Sequence, residues 1–190
     1  MCALFIDGEY VMNLDAQTLI ENRFDVGREI DDEDLREIIA LSNERRAKEK
    51  ALWLISYRSH SKKELKDKLK RSYDEQSAQK AVDRMEELGL INDPDFAAQY
   101  AQKLVLGKKM SLRAAEYELY RKGIDKATAE LVLSELDVDA QEQIIEFINK
   151  KYRNINDEKV RRRAVAALQR LGYGWDDIRQ ALESIEPLPD

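Results

Sequence analysis

The chain has 190 residues, 43% hydrophobic and 37% charged, with three prolines, enough apolar material for a buried core and a composition suited to long two-sided helices. No apolar run reaches the ~18–20 residues of a membrane span, and the lone Cys2 excludes an internal disulfide. The start "MCALFIDGEYVMNLD" carries Asp7 and Glu9 where a signal peptide needs a basic start and a long apolar stretch, so the expected location is the cytoplasm.

The net charge of −6 is unevenly spread. Residues 1–46 hold 12 acids against 5 arginines, a balance of −7, and the other 144 residues hold 26 acids against 27 bases. Local basic clusters are therefore free to bind an anion although the whole chain does not attract one.

In the first 30 residues the short runs "ALFID", "YVMNL" and "NRFDVG" alternate apolar and polar positions, and Asp7-Gly8 between the first two predicts a β-hairpin. "DDED" at 31–34 precedes Leu35, Ile38, Ile39 and Leu41, which predicts a helix capped by one aspartate, with the other acids favouring its dipole. These acids lack the glycine of a calcium loop and are read as cap and solvated surface.

From about Ala47 the apolar period is helical throughout. Ala51, Leu52, Leu54 and Ile55 form one face; Phe96, Tyr100, Ala101, Leu104 and Val105 a second; Ile144, Ile145, Phe147, Ile148 and Tyr152 a third. Each opens a unit that ends in a repeated pattern. Leu65 and Leu69, Ala115 and Leu119, and Ala164 and Leu168 are spaced by four, and Arg71, Arg121 and Arg170 follow two residues after the leucine. After the turn residues Tyr73, Ile124 and Tyr173, apolar positions recur at +5, +9 and +12: Ala78, Val82, Met85; Ala129, Leu133, Leu136; Ile178, Leu182, Ile185.

A period near 50 residues with three helices per unit predicts three stacked modules. The expected fold is mainly α, an elongated array of three tandem three-helix repeats over 47–92, 93–137 and 138–186, preceded by an acidic hairpin-plus-helix extension over 1–46 and followed by a tail at 187–190. Gly123 and Gly172 fall just past predicted helix ends, and Gly89 and Gly107 at other joints. The first repeat lacks one residue and this glycine near Ser72, which predicts a tighter or differently shaped turn.

Nothing along the chain assembles a catalytic or cofactor site. His60, the only histidine, lies in "YRSHSKKEL", a capping segment before a helix, without the strained turn of a serine nucleophile. No "GxxxxGK[ST]" loop is present, Cys2 has no local His partner, and the chain is read as a non-enzyme without a metal. Trp53, Phe96, Tyr100, Tyr152 and Trp175 are read mainly as core.

Basic residues recur at one element of every unit. Lys62, Lys66 and Lys70 repeat at intervals of four with Lys63 beside them, Arg58 before and Arg71 after; Lys108, Lys109 and Arg113 begin the equivalent helix of the second unit, which ends with Arg121; Lys159, Arg161, Arg162, Arg163 and Arg170 populate that of the third. Their nearest acids, Glu64, Asp67, Glu116 and Glu158, favour simple solvated pairs. Recurrence favours instead a positive track suited to phosphates or to an acidic protein surface.

"RSHSKKELKDKL", "LGLINDPDFAAQY", "AAEYELYRKGI" and "LQRLGYGWDDI", spread over residues 47–186, resemble the RecX family of bacterial regulators, and "FIDGEYVMNL" and "LIENRFDVGREIDDEDL" resemble the extra segment of its longer members. Asn92 stands where the family often has aspartate. The resemblance implies a curved array that binds the RecA recombinase, particularly filaments on single-stranded DNA, and inhibits their growth, ATP hydrolysis, strand exchange and co-protease activity. It carries over no catalytic residue. The alternative from the residues alone is a direct DNA-binding protein, because three-helix units with tight turns also build helix-turn-helix modules.

Overall fold

The computed structural model describes residues 1–185, so the expected tail and the last residue of the third repeat lie outside it. The chain forms two compact units that divide between Asn92 and Asp93. The described residues are mainly helical, with one small two-stranded sheet.

In the first unit the hairpin pairs β1 (Cys2–Ile6) with β2 (Glu9–Leu14), antiparallel, with Ile6 opposite Glu9. Asp7 (φ 51°) and Gly8 (φ 85°) make the tight turn, both in the left-handed region that the twist of a two-residue hairpin loop demands. A short helix that the sequence reading lacked, α1 (Ala16–Glu21), follows at once because the Asp15 carboxylate accepts from the Thr18 backbone N–H. Residues of "NRFDVG" then form turns rather than a strand.

Helix α2 (Asp32–Tyr57) is continuous across the expected boundary at 46/47. The composition changes there, but no glycine or proline interrupts the backbone, and charge alone does not end a helix. Asp31 caps it, accepting from the N–H groups of Glu33 and Asp34. The first half of α2 carries the extension: the Asp15 N–H donates to Ser42 Oγ at 2.8 Å, Arg45 pairs with Asp15 and Glu21, and Leu14, Thr18 and Ile38 are buried. Its second half packs with α3 (Lys62–Leu69) and α4 (Glu75–Glu87). Their core joins Ala47 and Ala51 to Leu65, Leu69, Ala78, Ala81, Val82 and Met85. Leu52, expected on this face, is exposed.

The second unit contains α5 (Asp93–Gln102), extended by a π-helical turn over Lys103–Gly107, then α6 (Leu112–Arg121), α7 (Lys126–Ser134), α8 (Ala140–Lys151), α9 (Glu158–Arg170) and α10 (Trp175–Ser184). One core cluster lies among α5, α6 and α7 and another among α8, α9 and α10. Within each three-helix set the predicted seam is the core: Leu65, Leu69, Ala115, Leu119, Ala164 and Leu168 are wholly buried, as are Ala78, Ala129 and Ile178 five residues beyond the turn residue.

The inner turns differ as the missing residue requires. The Ile124 N–H donates to Leu119 O and the Tyr173 N–H to Leu168 O, five residues back, with Gly123 and Gly172 at positive φ between. In the first repeat the Tyr73 N–H returns only four residues, to Leu69 O, and Ser72 stays out of the left-handed region. Gly107, expected at a joint, ends the π turn with an ordinary φ; Lys109 takes the left-handed position instead, at φ 58°.

Two ties join the halves of the second unit. Ser111, the cap of α6, donates its backbone N–H to Leu171 O and its hydroxyl to Gly172 O, both at 2.9 Å. A side-chain carbon on Gly172 would meet Ala114 Cβ well inside contact distance and Ser111 Oγ at 2.7 Å, so only glycine fits. The second tie is buried and polar: Gln143 on α8 donates to Val105 O in the π turn at 3.2 Å and accepts from the Tyr173 hydroxyl at 2.8 Å. A π turn leaves carbonyls without their α-helical partners, and Gln143 supplies one.

Candidate interaction surfaces

His60 has no chemistry to offer a substrate. It is 3% exposed, its Nδ1 donates to the Arg58 carbonyl at 2.8 Å, and burial together with the Arg58 charge holds its pKa below the usual histidine value. The buried Ser61 beside it caps α3, accepting from the Glu64 N–H at 3.1 Å. Among the described residues no group of three or more His, Cys, Asp or Glu side chains is placed to hold a metal, and no helix is long and apolar enough to cross a membrane.

Two aromatic expectations are corrected. Phe96 is buried and Tyr100 and Tyr152 are partly so, but Trp53 is 49% and Trp175 57% exposed. Trp53 stands exposed on α2, with Lys50 Nζ 3.5 Å above its ring and Tyr57 edge-on at 4.7 Å. Trp175 opens α10 where Gly174 provides no side-chain cap.

The basic clusters separate by what they already hold. In the first unit the stripe on α3 is neutralised by α4: Lys62 pairs with Glu86, while Lys66 (2.6 Å) and Lys70 share Glu75. Those two ammonium groups bring the Glu75 carboxyl down to about 2. Arg58 forks onto Glu64 and Lys63 meets Asp67 at 2.7 Å. Of these residues only Arg71 has no ionic partner among the described residues.

In the second unit Lys109 reaches Glu146 at 2.6 Å and Arg121 meets Glu118 at 2.7 Å, whereas Lys108 and Arg113 are exposed and unpaired among the described residues. On α9, Arg162 pairs with Glu158 and Arg170 Nε donates to Ala166 O. Lys159, Arg161 and Arg163 are exposed with no side-chain partner among the described residues. The pairs with Glu64, Asp67 and Glu158 form as the solvated-pair reading expects, α3 gains Glu75 and Glu86 besides, and Lys159, Arg161 and Arg163 on α9 are left solvated. Sequence reasoning missed Glu75 and Glu86 as partners and Gln143 as a tie, because each acts across a distance in the chain set by helix packing.

Comparison with known proteins places this geometry. Residues 47–85 match the family model for the first three-helix domain of RecX, and residues 137–182 that for the third. The chain is 33% identical over 96% of its length to the regulatory protein RecX of Bacillus velezensis, covering 72% of that protein, and 30% identical over 96% to that of Bacillus subtilis, covering 71%. It is similar in fold to a crystal structure of regulatory protein RecX, with TM-score 0.65, 19% identity and coverage of 96% of this chain and 92% of that one. A crystal structure of RecX from Lactobacillus salivarius matches with TM-score 0.59 and 22% identity over 75% of this chain and 96% of that one. The chain belongs to the RecX family, a family of regulatory proteins and not of enzymes.

Proposed function

We propose that this protein regulates the RecA recombinase by binding its filaments on single-stranded DNA, lowering ATP hydrolysis, strand exchange and co-protease activity in recombination and the SOS response. The observation that carries the reading is 33% identity to a regulatory RecX along 96% of the chain. The proposed contacts come from the basic elements of the repeats, with the unpaired residues of α9 and of the start of α6 foremost.

The alternative, duplex recognition by helix-turn-helix units, is disfavoured by charge. In such a unit the second helix of the motif enters the major groove by its N-terminal residues. Here the corresponding helices open on Asp74 and Glu75 in the first repeat and on Asp176 and Asp177 in the third, while in the second Lys126 follows the capping Asp125. Carboxylates at those positions repel phosphates.

The test is RecA ATP hydrolysis on single-stranded DNA, titrated with this protein, beside a binding assay on the same DNA without RecA. Inhibition well below one molecule per recombinase, at concentrations where naked DNA stays unbound, is the expected result. No effect on RecA together with tight, salt-sensitive DNA binding would overturn it.

A further inference from the structure

A cation that is already paired must give up its carboxylate before it can hold a phosphate, and one that is solvated need only release water and counterions. By that criterion α3 and α9 are opposites, although both are rich in Lys and Arg. Every member of the α3 stripe at 62, 66 and 70 is held by an acid on α4. Residues 150–163 hold seven cations against two acids, and one of those acids, Asp157, is committed to capping α9 through the N–H groups of Lys159 and Val160. The other, Glu158, takes Arg162.

The fold also gathers these charges. The Tyr152 hydroxyl, at the end of α8, donates to the Arg163 carbonyl at 3.4 Å, which sets the basic end of α8 against the middle of α9. Lys151 lies over the Phe147 ring at 4.6 Å, and Arg153 is exposed just beyond. Lys159 and Arg163, one turn apart on α9, share a side of that helix, and with Arg153 just past α8 they make three exposed cations at this joint with no acid bound to any of them among the described residues; Arg161, two residues from each of the first two, stands on another side.

We infer that this joint, the end of α8 with the first half of α9, is the phosphate-contacting surface of the protein, and that its ligand is the backbone of single-stranded nucleic acid. The inference deepens the regulatory reading above and rests on it for the choice of a single strand. Among the described residues the aromatic side chain at this joint, Tyr152, is half-buried with its hydroxyl on the Arg163 carbonyl, so the surface reads backbone charge and not base identity. The α3 stripe takes no part while Glu75 and Glu86 hold it.

The experiment compares the unaltered protein with Lys159→Gln/Arg163→Gln and with Lys66→Gln/Lys70→Gln. Binding to a labelled oligothymidylate without RecA is followed by fluorescence anisotropy across a salt series, and far-UV circular dichroism confirms equal helix content. Single-strand binding loses about 0.7 in log–log salt slope per phosphate neutralised. The α9 variant should therefore bind several-fold more weakly at low salt, with a slope shallower by about 1.4. The α3 variant should change affinity less than about twofold.

Wild-type affinity and slope in the α9 variant, an equal loss in the α3 variant, or no binding of the strand by the unaltered protein would each overturn the assignment. Tighter binding to a duplex of the same length would overturn the choice of a single strand. Inhibition of RecA by an unaltered protein that ignores the strand would sink this inference and leave the regulatory reading standing; strand binding without any effect on RecA would do the reverse.

Discussion

Gly172→Ala tests whether the two halves of the second unit are locked through the α6 cap. Gly172 sits at φ +90°, where a side chain strains the backbone by roughly 1–2 kcal/mol. The added methyl would also overlap Ala114 Cβ and approach Ser111 Oγ to 2.7 Å, an overpacking cost of about 1–3 kcal/mol if the backbones part to admit it. Parting them stretches the Ser111 hydroxyl bond to Gly172 O, a further loss of about 1 kcal/mol. The sum is about 3–6 kcal/mol.

Gly89→Ala is the matched control, because Gly89 has φ +67° with no atom within 4 Å of the added carbon and should lose only the backbone term. Urea unfolding read by fluorescence suits the comparison, since Trp53 lies in the first unit and Trp175 in the second; in a Trp53→Phe background the signal belongs to the second unit. A loss for Gly172→Ala within about 0.5 kcal/mol of that for Gly89→Ala would refute the claim that close packing reserves this position for glycine.

Tyr173→Phe should destabilise the second unit by about 1–3 kcal/mol, since it leaves the buried Gln143 Oε1 without its donor, and urea unfolding of that variant measures it. Burial pushes the Tyr173 hydroxyl up to about 12, so its contribution is complete below pH 10 and is lost as pH rises from 10 towards 12; the Phe variant should show a flatter alkaline limb. His60 has the opposite sense. Its folded pKa lies below the ordinary 6.5, so the unfolded chain takes up the proton first, and stability is full above pH 6.5 and falls on acidification through that value to the folded pKa. The slope in that window is at most about 1.4 kcal/mol per pH unit, and His60→Gln should remove it from an unfolding series between pH 5 and 7.5.

The seam and the turns were legible because both are local. A four-residue spacing before a turn and +5, +9, +12 after it put Leu69, Leu119 and Leu168 in the three cores, and the absent glycine near Ser72 foretold the shorter Leu69–Tyr73 closure. The continuity of α2 was obscured by a change in charge that the backbone does not sense. Asp15 followed three residues later by Thr18 was a readable cap for α1, hidden inside an apolar-polar alternation that suggested strand. The exposure of Trp53 and Trp175 was not legible, since helical period locates a stripe but not its width. Gln143 was hardest: its role depends on a π turn 38 residues away whose freed carbonyl no local pattern announces.

The silence assigned to the α3 stripe has its own test, because the acids that impose it can be removed singly. With its carboxyl near 2, Glu75 stays charged at any pH where the protein is handled, so Lys66 and Lys70 cannot be released by mild acidification. Only a competing anion or a substitution frees them. Glu75→Gln keeps the size and helix propensity of the residue and deletes the one charge that Lys66 and Lys70 share. It should leave Lys66 and Lys70 solvated beside the Leu65–Leu69 seam, in the state that Lys159 and Arg163 already have. Oligothymidylate affinity at low salt should then rise several-fold and the salt slope should steepen, by up to about 1.4 if both lysines engage. An unchanged slope would mean that the ion pairs are not what distinguishes the helices, and that α3 and α9 differ in the path along which they offer their charge.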